Sequence, residues 1–263
     1  MYQKILTGWM LFPFPHPFID WQFVPAAAEC WSRGINVYIA TPCYDLFPTM
    51  PHPYSPLWLR FSFLPSNPAA TAVFGVGWAV LFWVSQAYLP PPRTRLELCL
   101  TLLVTLSSST AFALERGNID LVIFLLALLG CRLWIGSLRL RLTAYAVFLF
   151  AGMLKFYPLI LMLLVIRERP RVFLQITVVV SLILAAAVID VRDELAAVAH
   201  NIPVGSYFSD LFGSVNLPSG LPVLMAYVGS KFDGHSHVID AFTWMSVPAY
   251  GALVFATVFG AAV

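Results

Sequence analysis

The sequence predicts an all-α polytopic membrane protein. Three observations carry this. The chain of 263 residues is 60% hydrophobic and only 11% charged, whereas soluble domains run near a quarter charged. Several runs approach the ~20 apolar residues that span a bilayer, and mean hydropathy is +0.81. Basic residues gather in the short connections between those runs, as topology by charge requires. A net charge of +2 with no basic tract argues against a nucleic-acid partner.

Residues 1–68 do not read as a span. Pro13, Pro15, Pro17 and Pro25 interrupt the apolar start, and no secretory signal pattern is present. This segment is expected to be an outer loop with short surface helices, one near residues 26–32 with Gly34 as its stop. Cys30 and Cys43 share that loop; a disulfide and two free thiols both remain open. Cys99 and Cys131 sit in apolar runs and read as small hydrophobes.

Residues 69–263 are expected to form a transmembrane helix bundle. Its spans are about 69–89, ended by Pro90-Pro91-Pro92, then 96–114, 119–135, 142–166, 172–189 and 243–263. An outer loop, 190–240, carries a short apolar piece at 217–228. Three arginine groups, Arg93/Arg95, Arg132/Arg139/Arg141 and Arg167/Arg169/Arg171, are placed in the cytoplasm by the positive-inside rule. Residues 1–68 and the turn near 117 then face outward. The 142–166 run begins and ends at arginine groups, so it is expected to enter and return as a broken, re-entrant hairpin. Lys155-Phe156-Tyr157-Pro158 is its tip, because Pro158 disfavours helix at Tyr157; a single crossing is the alternative. An outward N-terminal loop with no preceding span is expected to lack a first helix, or to keep its remnant in Tyr2–Phe14, and a stop within the last apolar run suggests an incomplete C-terminal end as well.

Polar residues inside apolar runs are costly and mark candidate sites. Glu115-Arg116-Gly117-Asn118-Ile119-Asp120 stands between two uncharged runs. Asn118 is suited to cap the next helix and Asp120 to sit at its positive end. Arg116 has two local carboxylates to pair with, Asp120 and Glu115. A capped helix N-terminus beside an arginine is also an anion site. Lys155 is a compact cation at the hairpin tip, facing the same side. Asp20, in Phe18-Ile19-Asp20-Trp21, has an apolar neighbourhood that would raise its pKa, although an ordinary loop aspartate is the simpler reading. Asp45 and Glu29 are weaker candidates in the same loop. His235 and His237 with Asp233 and Asp240 have an unspecific spacing for metal, so a divalent metal is possible but unsupported, and no cofactor is firmly expected. No GxSxG, HExxH, Walker or GxGxxG pattern occurs.

These blocks resemble those of the polytopic type C glycosyltransferases, most nearly glycosyltransferase family 87, the polyprenyl-phosphate-sugar-dependent mannosyltransferase-like proteins. Glu115–Asp120 and Gly152-Met153-Leu154-Lys155-Phe156-Tyr157-Pro158 are similar to the family's RGN and K-x-YP pair. Asp20-Trp21, Gly34-Ile35-Asn36-Val37-Tyr38 and Tyr54-Ser55-Pro56-Leu57 resemble its first outer loop. Residues 213–220, with Asn216 and Ser219, resemble a later Asn/Ser block. The chain departs from the family in lacking a helix before the aspartate and in having Phe18 where some relatives carry a second acid. The resemblance implies a type C helix bundle in a bacterial plasma membrane, with its site outside. It implies transfer of a mannose-like sugar, with inversion, from a polyprenyl-phosphate donor to a lipid or glycan hydroxyl. By this analogy Asp20 is the catalytic base, Arg116 and Lys155 bind the donor phosphate, and Asn118, Tyr157 and Asn216 shape the pocket. The alternatives are a transporter or flippase for a lipid-linked or anionic solute, and an inactive truncated homologue.

Overall fold

A computed structural model describes residue 4 and residues 15–201. They belong to a compact unit formed by 1–202. The expected span 243–263, the apolar piece 217–228, Asn216, the His235/His237 group and nearly all of the 190–240 loop lie outside the described residues. Every regular element among the described residues is helical.

The first correction concerns α1, Ile19–Ser32. It is no surface helix. Trp21, Phe23, Val24, Ala26, Ala27, Ala28 and Cys30 are all buried, and Val24, Ala27, Ala28 and Cys30 are wholly inaccessible. A helix apolar on every side must be enclosed. One side packs with Val37, Tyr38, Tyr44, Leu59 and Val198. The other packs with Trp58, Ile119, Ile123 and Leu154. Pro25 lies inside the helix; it removes one backbone donor, and the packing on both sides tolerates that loss. Gly34, at φ 78, ends the helix in the left-handed region, with Ile35 N–H donating to the Cys30 carbonyl at 3.1 Å. Cys30 and Cys43 form a disulfide, with Cα atoms 5.7 Å apart.

Among the described residues, two helices are long and apolar enough to cross a membrane, Pro68–Tyr88 and Pro170–Asp190. The first combines α2, Pro68–Ser85, with a short 3₁₀ turn, Gln86–Tyr88. Asn67 caps it, its side chain accepting from Ala70 N–H at 2.9 Å, and Pro68 fills the first helical position. The second, α7, is Pro170–Asp190. Only 6% of its most apolar window is buried, so its surface suits lipid.

The expected span 96–114 is instead α3, Arg95–Thr105, and α4, Ser108–Arg116, bent by 40°. Ser107 causes the break: its hydroxyl accepts from Thr110 N–H at 3.1 Å and so caps a new helix. Counted as one, this pair makes a third candidate span. The expected span 119–135 is α5, Ile119–Trp134, of 16 residues, shorter than the ~20 that cross a bilayer.

The 142–166 run folds back on itself. Its first arm is α6, Leu138–Leu154, of 17 residues, and its second is a 3₁₀ helix, Tyr157–Arg167, of 11. At ~1.5 and ~2.0 Å per residue the arms reach roughly 26 and 22 Å, both short of a ~30 Å hydrocarbon core. Arg141 closes the open end, donating Nε to Glu168 Oε1 at 2.7 Å and Nη2 to Oε2 at 3.1 Å. Gly130 lets α5 approach α6, since a Cβ there would stand 2.3 Å from the Phe148 ring. The last described element is α8, Arg192–Asn201. It occupies the start of the expected 190–240 loop and returns to the first loop through Asn201 Nδ2, which donates to the Tyr38 carbonyl at 2.8 Å.

The disulfide closes a loop across 13 positions, which corresponds to about 3 kcal/mol of unfolded-state restriction. Cys43→Ser is expected to lower the unfolding midpoint in non-reducing conditions and to abolish the difference between reduced and oxidised protein.

Candidate functional site

The site is built where the start of α1 lies across the turn between α4 and α5. Gly117 makes that turn at φ 59. A Cβ at Gly117 would stand 3.1 Å from Trp21 Cβ and 3.3 Å from the Phe18 Cα, so both conformation and space select glycine. Phe18 N–H donates to the Glu115 carbonyl at 2.7 Å. Phe18 itself adopts φ 65, an uncommon conformation for a bulky residue, held where the surrounding structure fixes it. Its ring lies against Gly75 of α2. Trp21 anchors the same segment, its ring centroid 5.4 Å from that of Trp78 and 6.3 Å from that of Trp58.

This packing delivers Asp20 to Arg116. Arg116 Nε and Nη2 donate to Asp20 Oδ1 at 2.9 and 2.7 Å. Asn118 Nδ2 donates to Oδ2 at 3.0 Å. Both carboxylate oxygens are therefore oriented. The Asn118 side chain works in two directions, because its Oδ1 also accepts from Asp120 N–H at 2.9 Å and caps α5. Asp20 and Arg116 expose 13% and 23% of their side chains, so the pair is mostly out of water but reachable. Burial pushes the Asp20 carboxyl above its ordinary value, while Arg116, Asn118 and the Lys155 charge pull it down.

A second pair stands beside the first. Lys155 Nζ donates to Asp120 Oδ1 at 2.6 Å, and the Tyr157 hydroxyl donates to the same oxygen at 2.8 Å. Lys155 and Asp120 are more open, at 34% and 46% exposure. The tip that carries Lys155 is held by the first loop: Ser55 Oγ donates to the Met153 carbonyl at 2.5 Å and Trp58 Nε1 to the Leu154 carbonyl at 3.2 Å. These satisfy carbonyls at the end of α6 that the helix leaves unpaired. Next to the tip is an apolar cavity of about 280 Å³, lined in part by Pro56, Met153, Phe156, Leu159, Ala187 and Val188.

Of the residues singled out by sequence, Asp20, Arg116, Asn118, Lys155 and Tyr157 are brought to one place. The pairing differs from the local one considered for Arg116. Its guanidinium reaches Asp20, 96 positions away, while Asp120 turns to the hairpin tip. The sequence offers Asp120 as a helix-end charge and as a local partner for Arg116, and its partnership with Lys155 and Tyr157 has no local signal. Tyr44 has no signal in the sequence, and Tyr54 enters only as part of the block 54–57. Burial, with Asp20 nearby, pushes the Tyr44 phenol up to about 12 and raises that of Tyr54 as well; both stay neutral and act as dipoles. No cluster of three His, Cys, Asp or Glu is found among the described residues.

The chain matches no family model, no curated protein and no solved structure.

Gly117→Ala is expected to destabilise the protein by about 1–2 kcal/mol through its left-handed backbone alone, with further loss from the contact with Trp21. Thermal unfolding checks this; Gly34→Ala, where a Cβ meets nothing within 4 Å, should show the backbone part only.

Proposed function

We propose that this chain is a membrane glycosyltransferase of the polytopic type C kind, resembling family 87. It takes a mannose-like sugar from a polyprenyl-phosphate donor and transfers it to a lipid or glycan hydroxyl on the outer face of a bacterial plasma membrane. The observation that supports this best is the convergence of Asp20 on the Arg116-Gly117-Asn118 turn, next to Lys155 and Tyr157. One oriented, partly buried carboxylate and two cations are the groups such a transfer needs.

In this reading Asp20 accepts the proton of the acceptor hydroxyl. The acceptor oxygen forms a bond to the anomeric carbon on the face opposite the phosphate. The bond from that carbon to the phosphate oxygen breaks, and its electron pair leaves with the polyprenyl phosphate, inverting the configuration. Arg116 and Lys155 stabilise the negative charge that develops on the departing phosphate. In the structure both cations are held by carboxylates, Asp20 and Asp120, so the resting arrangement is neutral and donor binding exchanges the Lys155–Asp120 contact for Lys155–phosphate. Tyr157 and Asn118 fix the positions of Asp120 and Asp20. The apolar cavity beside Phe156 and Met153 suits the first part of the donor's lipid. The hairpin of α6 and Tyr157–Arg167 is, in this reading, re-entrant from the arginine-rich face.

Asp20→Asn keeps the shape and removes the base; transfer from a polyprenyl-phosphate sugar should fall by about 10²–10⁴-fold. Undiminished transfer rules out the base assignment, and movement of the donor across vesicles without transfer points to a carrier instead. Lys155→Met should lower kcat by about 10²–10³-fold with a smaller change in unfolding midpoint.

The pH dependence has a definite sign. Asp20 acts in its charged form, and burial raises its pKa, so activity should be lost on acidification at a pH above that of an exposed aspartate. Arg116→Met removes the charge that pulls the value down, so the acid limb of the rate profile should move to still higher pH. A shift to lower pH excludes Asp20 as the titrating group.

A further inference from the structure

We infer a binding site for an anionic phospholipid at the opposite end of the fold, in the groove between α6 and α7. Each helix carries an arginine in its first turn, Arg139 in α6 and Arg171 in α7, and side chains of both line one cavity. Leu138, Leu142 and Leu149 of α6 form one wall, and Val172, Ile176 and Ile183 of α7 the other, around a cavity of about 310 Å³. From 138 to 149, and from 172 to 183, the groove runs roughly 16 Å at ~1.5 Å per residue. That is about half of a ~30 Å hydrocarbon core, the depth of one leaflet, so the groove takes an acyl chain from that leaflet alone.

Charge at the mouth identifies the lipid. The segment from 132 to 171 holds six arginines and Lys155 against one acid, Glu168. Glu168 is already neutralised: its side chain is 4% exposed and gripped by Arg141, with the Tyr145 hydroxyl 3.2 Å from Oε1. Arg167 stacks over the Trp134 ring at 6.0 Å. Arg139, Arg169 and Arg171 are exposed and have no acidic partner among the described residues. Arg139 adjoins Leu138 and Arg171 adjoins Val172, so the cations stand at the groove's entrance. A phosphate headgroup at the arginines with its chain between α6 and α7 satisfies both features together, and basic pockets between membrane helices on the positive side favour anionic headgroups. The site is independent of the sugar-transfer reading.

The test uses the whole protein reconstituted in vesicles of phosphatidylcholine with and without phosphatidylglycerol, then extracted and weighed by native mass spectrometry. Phosphatidylglycerol should be retained in preference to phosphatidylcholine. Retention should fall roughly fivefold for each of Arg139→Gln, Arg169→Gln and Arg171→Gln, with unfolding midpoints in lipid-free detergent unchanged. Arg93→Gln with Arg95→Gln, which alters a different basic pair, should leave retention as it was. Ala146→Trp and Val179→Trp fill the groove from opposite walls and should each displace the lipid. Equal retention of the two lipids overturns the proposal. So does an equal loss in the Arg93/Arg95 control, retention unaffected by the tryptophans, or full displacement by inorganic phosphate at the lipid's concentration.

Discussion

The contact of Asp20 with the turn between α4 and α5 is what the first half of the structure depends on. Three hydrogen bonds with a charged acceptor converge on one carboxylate, each worth more than a neutral bond because an ion is involved. The carboxylate sits largely out of water, where leaving it unpaired is costly. Phe18, Gly117 and Trp21 then follow as its supports. Phe18 holds a left-handed backbone so that its N–H reaches the Glu115 carbonyl. Gly117 is bare so that Trp21 can close over it. Remove the ion pair and α1 loses this charged tie to α4, leaving the Phe18–Glu115 backbone bond and apolar packing to fix its register.

The hairpin is held at its two ends by different chemistry. At the open end, Arg141 and Glu168 make a two-point contact that fixes both separation and angle. At the tip, Ser55 and Trp58 meet the last carbonyls of α6, and Lys155 and Tyr157 share a single oxygen of Asp120. The buried end is the firmer one. The tip's ions are partly exposed, where such pairs contribute little to stability. A contact of that kind can exchange one anion for another at small cost, as a binding site requires.

Some of this was legible in the residues. Asn118 before an apolar run marked a helix start, and the cap is there. Pro158 marked a break, and α6 ends at Leu154. Gly34 marked a helix end, and φ 78 is found there. Other features misled. The prolines of residues 13–25 argued against a span and left only a short surface helix near 26–32, yet α1 begins at Ile19 and passes through Pro25 because enclosure on both sides outweighs one missing hydrogen bond. The apolar run 96–114 promised a span, yet a serine hydroxyl competing for a backbone donor breaks it at Ser107.

The sequence by itself determined the apolar character, the helical class and the small set of polar residues that had to be accommodated. Those follow from composition and local backbone chemistry, which act over a few neighbouring residues. Tertiary structure alone decided the partners. Arg116 with Asp20, Lys155 with Asp120 and Arg141 with Glu168 are chosen by where packing places each helix, and the same packing closes Cys30 and Cys43 as a disulfide. A charge carries no record in the chain of which opposite charge will stand beside it. That choice belongs to α1, whose apolar faces must be buried on both sides and which brings Asp20 with it.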